Sequence, residues 1–534
     1  MELTALVPRS RSQRRRVPSL VDVTPSLEQR EAILAPRERS LLVLGEAGHG
    51  KTTILVLRVA HLVREGQGRL RAAVIVPTDG LVGLLQPLLR RVGADVEVST
   101  FDRWASVQAR HSFRWLPKES ELTPGNVMRL KRSPALRLAL QRLAEREPGR
   151  VDDDHDAPVV RSRRRVSRGD LQHLFGDRML MEEVARVGAL PRTCVEDVLE
   201  RTRVQVGPSA EREYAHVSDH SRLRAIDGRL IDDGTATAHA DTVDAEDYPV
   251  LFELGRLRAL ARGKSATPPR AFDLIAVDEA QEFAPLELAL LGRSLAPGGT
   301  LVVSGDADQQ TDGTTAFLGW DAVAHELGVE RLDTVALKIG FRCPPHVEAL
   351  ARAIRDGQPV PAALLQTTAL EAETAAPPVQ RGAPTTLRRF TDEASLCAEL
   401  GREIERVLAR DQRASLAVLC RTAVTVRRLA ARFRQSAPVR LVFDGRFLPR
   451  GPAQASTVDE VKGLEFDYVI VPDADATTYP SDVASRRALY VAVTRARHQV
   501  VLAHTGAASP LLNDASARDS GIDGPTSLRD ARAP

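Results

Sequence analysis

The chain has 534 residues, of which 27% are charged and 4% aromatic, and its formal net charge is only +3. This length allows several domains and a large core, while the small net charge excludes nucleic-acid binding by bulk positive charge alone. The four cysteines are scattered without paired metal-ligand spacing, which is typical of a reducing compartment. Because the sequence has neither an apolar leader nor a run of about 20 apolar residues, we expect a cytoplasmic protein with no membrane partner.

The first predicted strand, residues 41–45, leads into the glycine-rich run GEAGHGKTT. This run matches the pattern G-x-x-x-x-G-K-[ST] and precedes an apolar helix. Its glycines allow backbone N–H groups to turn toward a phosphate. These glycines are Gly45, Gly48 and Gly50. Lys51 would reach the β- and γ-phosphates, the Thr52 hydroxyl can hold Mg²⁺, and Thr53 completes the nucleotide-binding motif. The pattern therefore predicts that ATP and Mg²⁺ bind here.

Further strand-like runs alternate with helical periodicity, which is typical of parallel α/β sheets. The runs expected to join residues 41–45 in a first sheet are 72–77, 95–101, 274–279 and 300–306. The runs expected to form a second sheet are 415–422, 467–473 and 500–504. The sequence therefore predicts two similar α/β cores.

A long segment rich in Arg and Asp, with helical patches such as GDRMLMEEVARVG, interrupts the first core. We interpret it as a mostly helical insertion, and the polar ends of the chain as disordered tails. The expected order is a basic disordered tail (1–20), the first core in two parts (21–110 and 266–335) around the insertion (111–265), the second core (336–505) and a disordered tail (506–534).

Acidic residues follow the fourth predicted strand, in LIAVDEAQE. A carboxylate at the end of a buried strand can complete the Mg²⁺ shell beside the Lys-Thr loop, and Asp278 has this position. Glu279 would orient the attacking water and accept its proton. The run SGDADQQ ends a neighbouring strand and offers Gln309 as a polar sensor of the γ-phosphate. These residues predict hydrolysis of ATP.

Six motifs occur in an order that resembles superfamily 1 helicases of the UvrD/Rep group, with details closest to the helicase IV and HelD-like branch. They are the glycine-rich loop, DEAQ, GDADQ, GFRCP, VKGLEFDYVIV and ALYVAVTRAR. The resemblance covers about residues 20–505. It implies an α/β fold with two RecA-like P-loop NTPase cores, each built on a parallel sheet, and a mostly helical insertion in the first core.

The resemblance implies further roles at the nucleotide site. Gln29 would read the adenine edge, and Phe341 would stack on the base. Arg342 and Arg495 would act as arginine fingers supplied by the second core. Two residues of the KGLEF motif would lie near the sugar and phosphates, namely Gly463 and Glu465.

In the family that this chain resembles, opening and closing of the cores moves single-stranded DNA, with bases stacked on aromatic side chains. The candidate DNA contacts here are Thr78, Thr100, Phe101 and Trp320. For Phe101, burial in the core is an equally supported alternative. We expect an ATP-dependent DNA helicase or translocase that moves 3′ to 5′ on single-stranded DNA or on a duplex with a 3′ overhang, in DNA repair or recombination.

Two other functions stay open from the sequence. One is a HelD-like ATPase that remodels RNA polymerase complexes, although the short stretch before Gln29 lacks the N-terminal arm that this activity uses. The other is an NTPase subunit of a defence or repair complex, with a partner that carries a nuclease. ATPase assays with single-stranded DNA, double-stranded DNA and RNA discriminate among the three.

Overall fold

The structure is a computed structural model with two compact units. It describes residues 24–145, 166–207, 239–266, 268–337, 343–361, 363–368 and 384–512. Within these ranges, the first unit contains residues 24–44, 51–77 and the chain from 85 to 336. The second unit contains residues 45–50, 78–84 and the chain from 337 onward.

A parallel sheet of six strands forms the centre of the first unit. The described strands of this unit are β1 (Leu41–Leu44), β2 (Ala72–Val76), β3 (Glu97–Thr100), β4 (Lys118–Glu119), β5 (Thr242–Val243), β6 (Phe272–Val277), β7 (Leu295–Gly305) and β8 (Asp333–Ala336). The sheet order is β3-β2-β6-β7-β1-β8, whereas β4 and β5 pair only with each other. Strand β2 (AAVIV) and the last four residues of β6 (LIAV) are apolar runs, which is typical of parallel strands covered on both faces.

Helices connect these strands. Those described as far as Ala336 are α1 (Leu27–Leu34), α2 (Lys51–Glu65), α3 (Asp79–Arg91), α4 (Phe101–Ser112), α5 (Gly125–Lys131), α6 (Leu136–Glu145), α7 (Arg168–Phe175), α8 (Arg178–Val187), α9 (Arg192–Val206), α10 (Asp247–Leu260), α11 (Pro285–Arg293) and α12 (Trp320–Glu326). Between α4 and β6 the described residues are helical except for the short β4–β5 pair and the connections. The prediction of a mostly helical insertion is confirmed.

The insertion shares its hydrophobic core with the sheet. Leu140, Leu174 and Val198 of the insertion belong to the same buried cluster as Ile75 and Val277 of the sheet. A shared core means that the insertion and the sheet pack as one body, because close-packed interiors transmit displacement.

A second parallel sheet, with seven strands, forms the centre of the second unit. Its strands are β9 (Leu365–Thr368), β10 (Thr385–Arg389), β11 (Leu416–Cys420), β12 (Val439–Leu441), β13 (Ala453–Thr457), β14 (Phe466–Val471) and β15 (Ala496–His504). Its helices are α13 (Pro345–Asp356), α14 (Glu393–Arg410), α15 (Ala423–Phe433) and α16 (Val483–Thr494). The strand order is β12-β13-β11-β14-β15-β10-β9. The predicted class, two α/β cores with parallel sheets, is confirmed.

The packed part of the second unit continues beyond residue 505, where the sequence suggested a disordered tail. Leu511 and Leu512 are buried, and the Ser509 hydroxyl donates to the Tyr479 carbonyl oxygen at 2.6 Å. The predicted boundary is therefore too early by at least seven residues, from 505 to 512. In the described part of the chain, no helix has the length and apolar character that crossing a membrane requires.

One charged side chain is entirely buried in the first unit. Arg58 on α2 has 0% exposure, and its guanidinium donates to five carbonyl oxygens around the end of α1. The acceptors, at 2.7 to 3.4 Å, are the carbonyl oxygens of Ala32, Ile33, Ala35, Pro36 and Arg39. Burial lowers the pKa of Arg58 to about 10, so the group stays charged at neutral pH. Arg58 thus fastens α1 to the helix that follows the glycine-rich loop.

We expect Arg58→Met to lower the free energy of unfolding by about 3 kcal/mol or more, because buried carbonyl oxygens lose their charged donor. Arg178→Met is the matched control. Arg178 also uses both terminal nitrogens, on Glu196, but its side chain is 53% exposed. The control should change the same free energy much less, because an exposed ion pair contributes little to stability. Urea unfolding followed by circular dichroism measures both, and equal losses would contradict the anchoring role of Arg58.

Candidate active site

Three strands of the first sheet end at one edge. Their parallel registers pair Leu44 with Gly305 and Val277 with Val303. Within the first unit, the residues that follow β6 and β7 therefore lie together, namely Asp278 and Asp306. Ligands of open parallel sheets bind at this carboxyl edge.

The first element of the site is the start of α2. Gly48 and Gly50 have φ of +79° and +91°, which other residues rarely adopt, and α2 begins directly after them at Lys51. The N–H groups of a first helical turn favour an anion there. Lys51 is only 6% exposed, and its Nζ lies 3.9 Å from Oδ2 of Asp306. Thr53, two residues on, is buried.

The second element is a set of oxygen atoms around Asp278. The Thr52 hydroxyl donates to Asp278 Oδ2 at 3.1 Å, and the Ser304 hydroxyl donates to Oδ1 at 2.6 Å. Asp278 is fully buried, and burial, with the neighbouring Glu279 carboxylate, raises the pKa of Asp278 to about 6. Hydroxyl and carboxylate oxygens are the donors that Mg²⁺ prefers. Thr52 and Asp278 therefore fit the predicted metal site.

The third element is Glu279, whose backbone is strained. Four non-glycine residues in the described chain have positive φ, and Glu279, at +54°, is the buried one among them. Such strain is concentrated at functional sites because surrounding contacts must impose it. Here, the Gln281 amide nitrogen donates to Glu279 Oε2 at 2.7 Å, and the Glu279 N–H donates to Asp278 Oδ1 at 3.1 Å. These contacts fix the orientation of the carboxylate.

A fourth set of contacts connects the ends of β6 and β7. Gln281 Oε1 accepts the N–H of Asp306 at 3.1 Å, and the Gln309 amide nitrogen donates to Asp306 Oδ2 at 2.7 Å. The structure thus places Gln309 beside the partner of Lys51. Sequence reasoning missed Gln281, Ser304 and Asp306 as site residues. Their signal was present, since each is a polar residue at or just beyond the end of a buried strand.

Together, these side chains can bind and cleave a phosphate chain. Lys51 supplies positive charge, Thr52 and Asp278 supply oxygen ligands for a divalent cation, and Glu279 is a fixed carboxylate that can accept a proton from water. All four belong to the first unit.

Gln29 takes part in a helix cap. Its Oε1 accepts the Ser26 N–H at 3.0 Å, and Ser26 Oγ accepts the Gln29 N–H at 3.3 Å, so the two form a capping box at the start of α1. Adenine recognition by Gln29 stays a prediction.

The candidates from the later motifs belong to the second unit. Arg495 is 4% exposed and donates to the carbonyl oxygens of Val491 and Leu464 at 3.1 and 3.3 Å. Glu465 accepts a hydrogen bond from Arg497 at 3.0 Å, and Gly463 has φ of +70°. Their nucleotide contacts stay predictions. Phe341 and Arg342 lie outside the described residues.

Two candidate DNA contacts have local structural roles. The Thr100 hydroxyl caps α4 by accepting the Arg103 N–H at 3.4 Å, and the Thr78 hydroxyl accepts the Leu81 N–H at 3.4 Å. Neither arrangement tests DNA binding, so both contacts stay predictions.

The expectation that Phe101 stacks on a base is wrong for this structure, and its alternative, burial, is correct. Phe101 is 4% exposed. Its ring lies 5.9 Å from that of Trp104 and 6.1 Å from that of Phe283. The aromatic cluster fills the space between α4 and the sheet, so the ring has no face open to a base.

Trp320 is half-buried at the start of α12. Its ring packs edge-to-face on Phe317, with centroids 4.8 Å apart, and lies against Gly305 at the end of β7. This position puts the ring next to the segment that carries Asp306 and Gln309. Base stacking by Trp320 stays a prediction.

Comparison with known families agrees with this site. The family described as AAA domain matches residues 29–314, which include the glycine-rich loop and the ends of β6 and β7. The family described as UvrD-like helicase C-terminal domain matches residues 452–503 in the second unit. No curated protein matches the chain.

Among solved structures, the C-terminal domain of a possible DNA helicase from Lactobacillus plantarum WCFS1 is similar to part of the chain. The identity is 19%, the TM-score is 0.24, and the match covers 32% of this chain and 92% of the other.

We expect Gly305→Ala to displace Trp320, because a Cβ atom at Gly305 would overlap the ring and lie 2.5 Å from Gln281 Oε1. Overpacking of this kind costs about 1–3 kcal/mol of stability. Gly255→Ala is the control, since its Cβ would make an ordinary contact of 3.6 Å with Val166. Tryptophan fluorescence and urea unfolding report the two effects. If Gly305→Ala and Gly255→Ala give the same tryptophan fluorescence and the same free energy of unfolding, the described packing of Trp320 on β7 is contradicted.

Proposed function

Because the chain belongs to the UvrD/Rep-like helicase family, we propose that this ATP-hydrolysing helicase moves 3′ to 5′ along single-stranded DNA. The observation that carries the hydrolytic part is the strained, buried Glu279 carboxylate, held by Gln281 beside Asp278. A protein that only binds nucleotide has no need for a fixed proton acceptor at this position.

In this proposal, the first unit binds and cleaves ATP. Lys51 neutralises phosphate charge, while Gln281 keeps Glu279 in the orientation in which its Oε atoms accept a proton from the attacking water. Gln309, held on Asp306, senses the terminal phosphate. Mg²⁺ held by Thr52 and Asp278 would neutralise charge that develops on the phosphates.

The second unit would supply the remaining nucleotide contacts. Arg342 and Arg495 are proposed as arginine fingers. Since Arg495 now donates to the carbonyl oxygens of Val491 and Leu464, its finger role requires the side chain to exchange these acceptors for a phosphate. Glu465 and Gly463 are proposed to lie near the nucleotide, with Phe341 stacked on the base and Gln29 at its edge.

DNA binding would depend on a few local contacts, because a net charge of +3 gives little bulk attraction. We propose that Thr78 and Thr100 bind backbone phosphates and that Trp320 stacks on a base. Phe101 is no longer part of this set because its ring is buried. The scattered cysteines favour a reducing compartment, so the cytoplasm is the proposed location, with repair or recombination as the proposed pathway.

The experiment that tests this proposal measures ATP turnover with single-stranded DNA, double-stranded DNA and RNA. We expect single-stranded DNA to stimulate turnover most, with an affinity that falls as salt rises. Trp320→Ala should raise the DNA concentration for half-maximal stimulation by about fivefold or more, as for one lost stacking contact. Trp115→Ala, which removes another half-buried tryptophan, is the control and should not change that concentration.

Turnover that ignores single strands of any length would reject the translocase proposal. It would favour an NTPase subunit of a larger complex with a nuclease or RNA polymerase as partner. Stimulation that is equal in wild type and Trp320→Ala would reject only the stacking role of Trp320.

A further inference from the structure

The end of α5 carries basic side chains that contact two different parts of the first unit. Arg129 and Arg132 reach the segment after β7, which we call the sensor loop and define as residues 306–314. Arg129 Nε donates to the carbonyl oxygen of Gly313 at 3.1 Å. Lys131 instead contacts the interior of the insertion. The division follows from helical spacing, since residues three apart share a face and adjacent residues do not.

Arg132 holds the end of the sensor loop with a buried guanidinium. Its side chain is 10% exposed. Nη1 donates to the Asp312 carboxylate and, at 2.6 Å, to the Thr314 hydroxyl. Nε and Nη2 donate to the two carboxylate oxygens of Glu287 on α11 at 2.9 and 3.2 Å. Such a two-pronged, charge-assisted contact fixes the relative positions of all its partners.

The same end of the loop also contacts the turn at residues 279–282, which carries the Glu279 carboxylate. Arg132 Nη2 donates to the carbonyl oxygen of Glu282 at 3.0 Å. The Glu282 carboxylate in turn accepts the N–H groups of Thr311 and Asp312 at 3.1 and 3.2 Å. Displacement of this turn would therefore displace the loop end and Arg132 together.

The beginning of the sensor loop lies in the nucleotide site. Asp306 is the residue 3.9 Å from Lys51 Nζ, and it also binds the amide groups of Gln281 and Gln309. The loop thus contacts the phosphate-binding lysine at one end and the insertion at the other.

On the other side of α5, Lys131 is fixed in the insertion. Its Nζ lies 2.8 Å from Asp244 and 2.6 Å from Asp247, and Arg201 Nη2 lies 2.7 Å from Asp244. These four side chains are at most 6% exposed. Burial alone would lower the pKa of Lys131, yet the two carboxylates raise it above its usual value. A buried charge cluster is costly to break, so α5 moves with β5, α9 and α10.

We propose that α5, through Arg132, couples the insertion to the nucleotide site. When the phosphate bound beside Lys51 and Asp306 is cleaved or lost, the sensor loop is displaced. Arg132 transmits this displacement to α5, and α5 transmits it to the insertion. By reciprocity, a DNA strand that contacts the insertion changes turnover at the nucleotide site. Arg132 is a positioning residue in this scheme, and the DNA-dependent half of the inference rests on the proposed function.

The test compares Arg132→Lys and Arg132→Met with Arg137→Met. Arg137 is the matched control because it also joins the insertion to the rest of the unit, donating to both Glu326 carboxylate oxygens on α12 at 2.7 Å. Glu326 lies outside the sensor loop. The first readout is amide hydrogen exchange in α5 with and without ADP. Wild type and Arg137→Met should show slower exchange in α5 when ADP is bound, and the Arg132 variants should lose that difference.

The second readout is the ratio of ATP turnover with and without a long oligodeoxythymidylate. We expect the ratio to fall about fivefold or more in the Arg132 variants, the range of typical coupling between two sites, and to be retained in Arg137→Met. Should the Arg132 variants fail to fold, Thr314→Val removes a partner of Arg132 from the loop side and should reduce both readouts in the same direction.

Unchanged exchange protection in the Arg132 variants, or an equal loss in Arg137→Met, would overturn the coupling role. Failure of the proposed function looks different. In that case wild type shows no DNA stimulation, while the ADP-dependent protection of α5 is still present in wild type and lost in Arg132→Lys.

Discussion

Negative charge is concentrated in a small volume where the strands of the first sheet end. Asp278, Glu279 and Asp306 are each at most 8% exposed, and buried carboxylates are costly unless donors or cations compensate them. Lys51 Nζ lies 3.9 Å from Asp306 Oδ2, and hydroxyl, amide and backbone N–H donors bind the other two carboxylates. The start of α2, the strained turn at Glu279 and the sensor loop are all positioned around this charge.

The insertion is connected to this site by a second set of charges. Lys131 and Arg132 are adjacent in sequence, yet one binds carboxylates inside the insertion and the other binds the sensor loop and α11. The insertion and the sheet also share one hydrophobic core. Because both apolar packing and ion pairs connect them, they should move together. In the proposed coupling, the insertion responds to the bound nucleotide without a direct contact to it.

The contact between Thr52 and Asp278 could be predicted because the chemistry expected of a nucleotide site fixes local spacing. Lys51 and Thr52 follow a glycine pattern, and Asp278 and Glu279 end an apolar strand, so short segments carry the whole signal. Strand β13 (AQAST) was missed because its polar sequence has no apolar run, although four of its five residues are buried within the sheet. In β13, pairing with the neighbouring strands β11 and β12 determines the strand conformation.

Long-range partners explain the other failures. The stretch STFDRWA fits both an exposed stacking ring and a buried one, and Phe101 is buried because Phe283, distant in the sequence, packs against it. Arg58 and Arg132 carry no sequence signal for burial. The partner Glu287 is 155 positions from Arg132, so only the fold reveals the contact.

We propose that Glu279 is the proton acceptor of the ATP-hydrolysing site. The most direct test is Glu279→Gln, with ATP affinity measured by calorimetry and turnover by phosphate release. Lys51, Thr52 and Asp278 are untouched in this variant, so ATP should still bind with nearly the wild-type affinity, whereas turnover should fall by about 100-fold or more, as expected when a general base is removed. Near-normal turnover in Glu279→Gln would contradict the assignment.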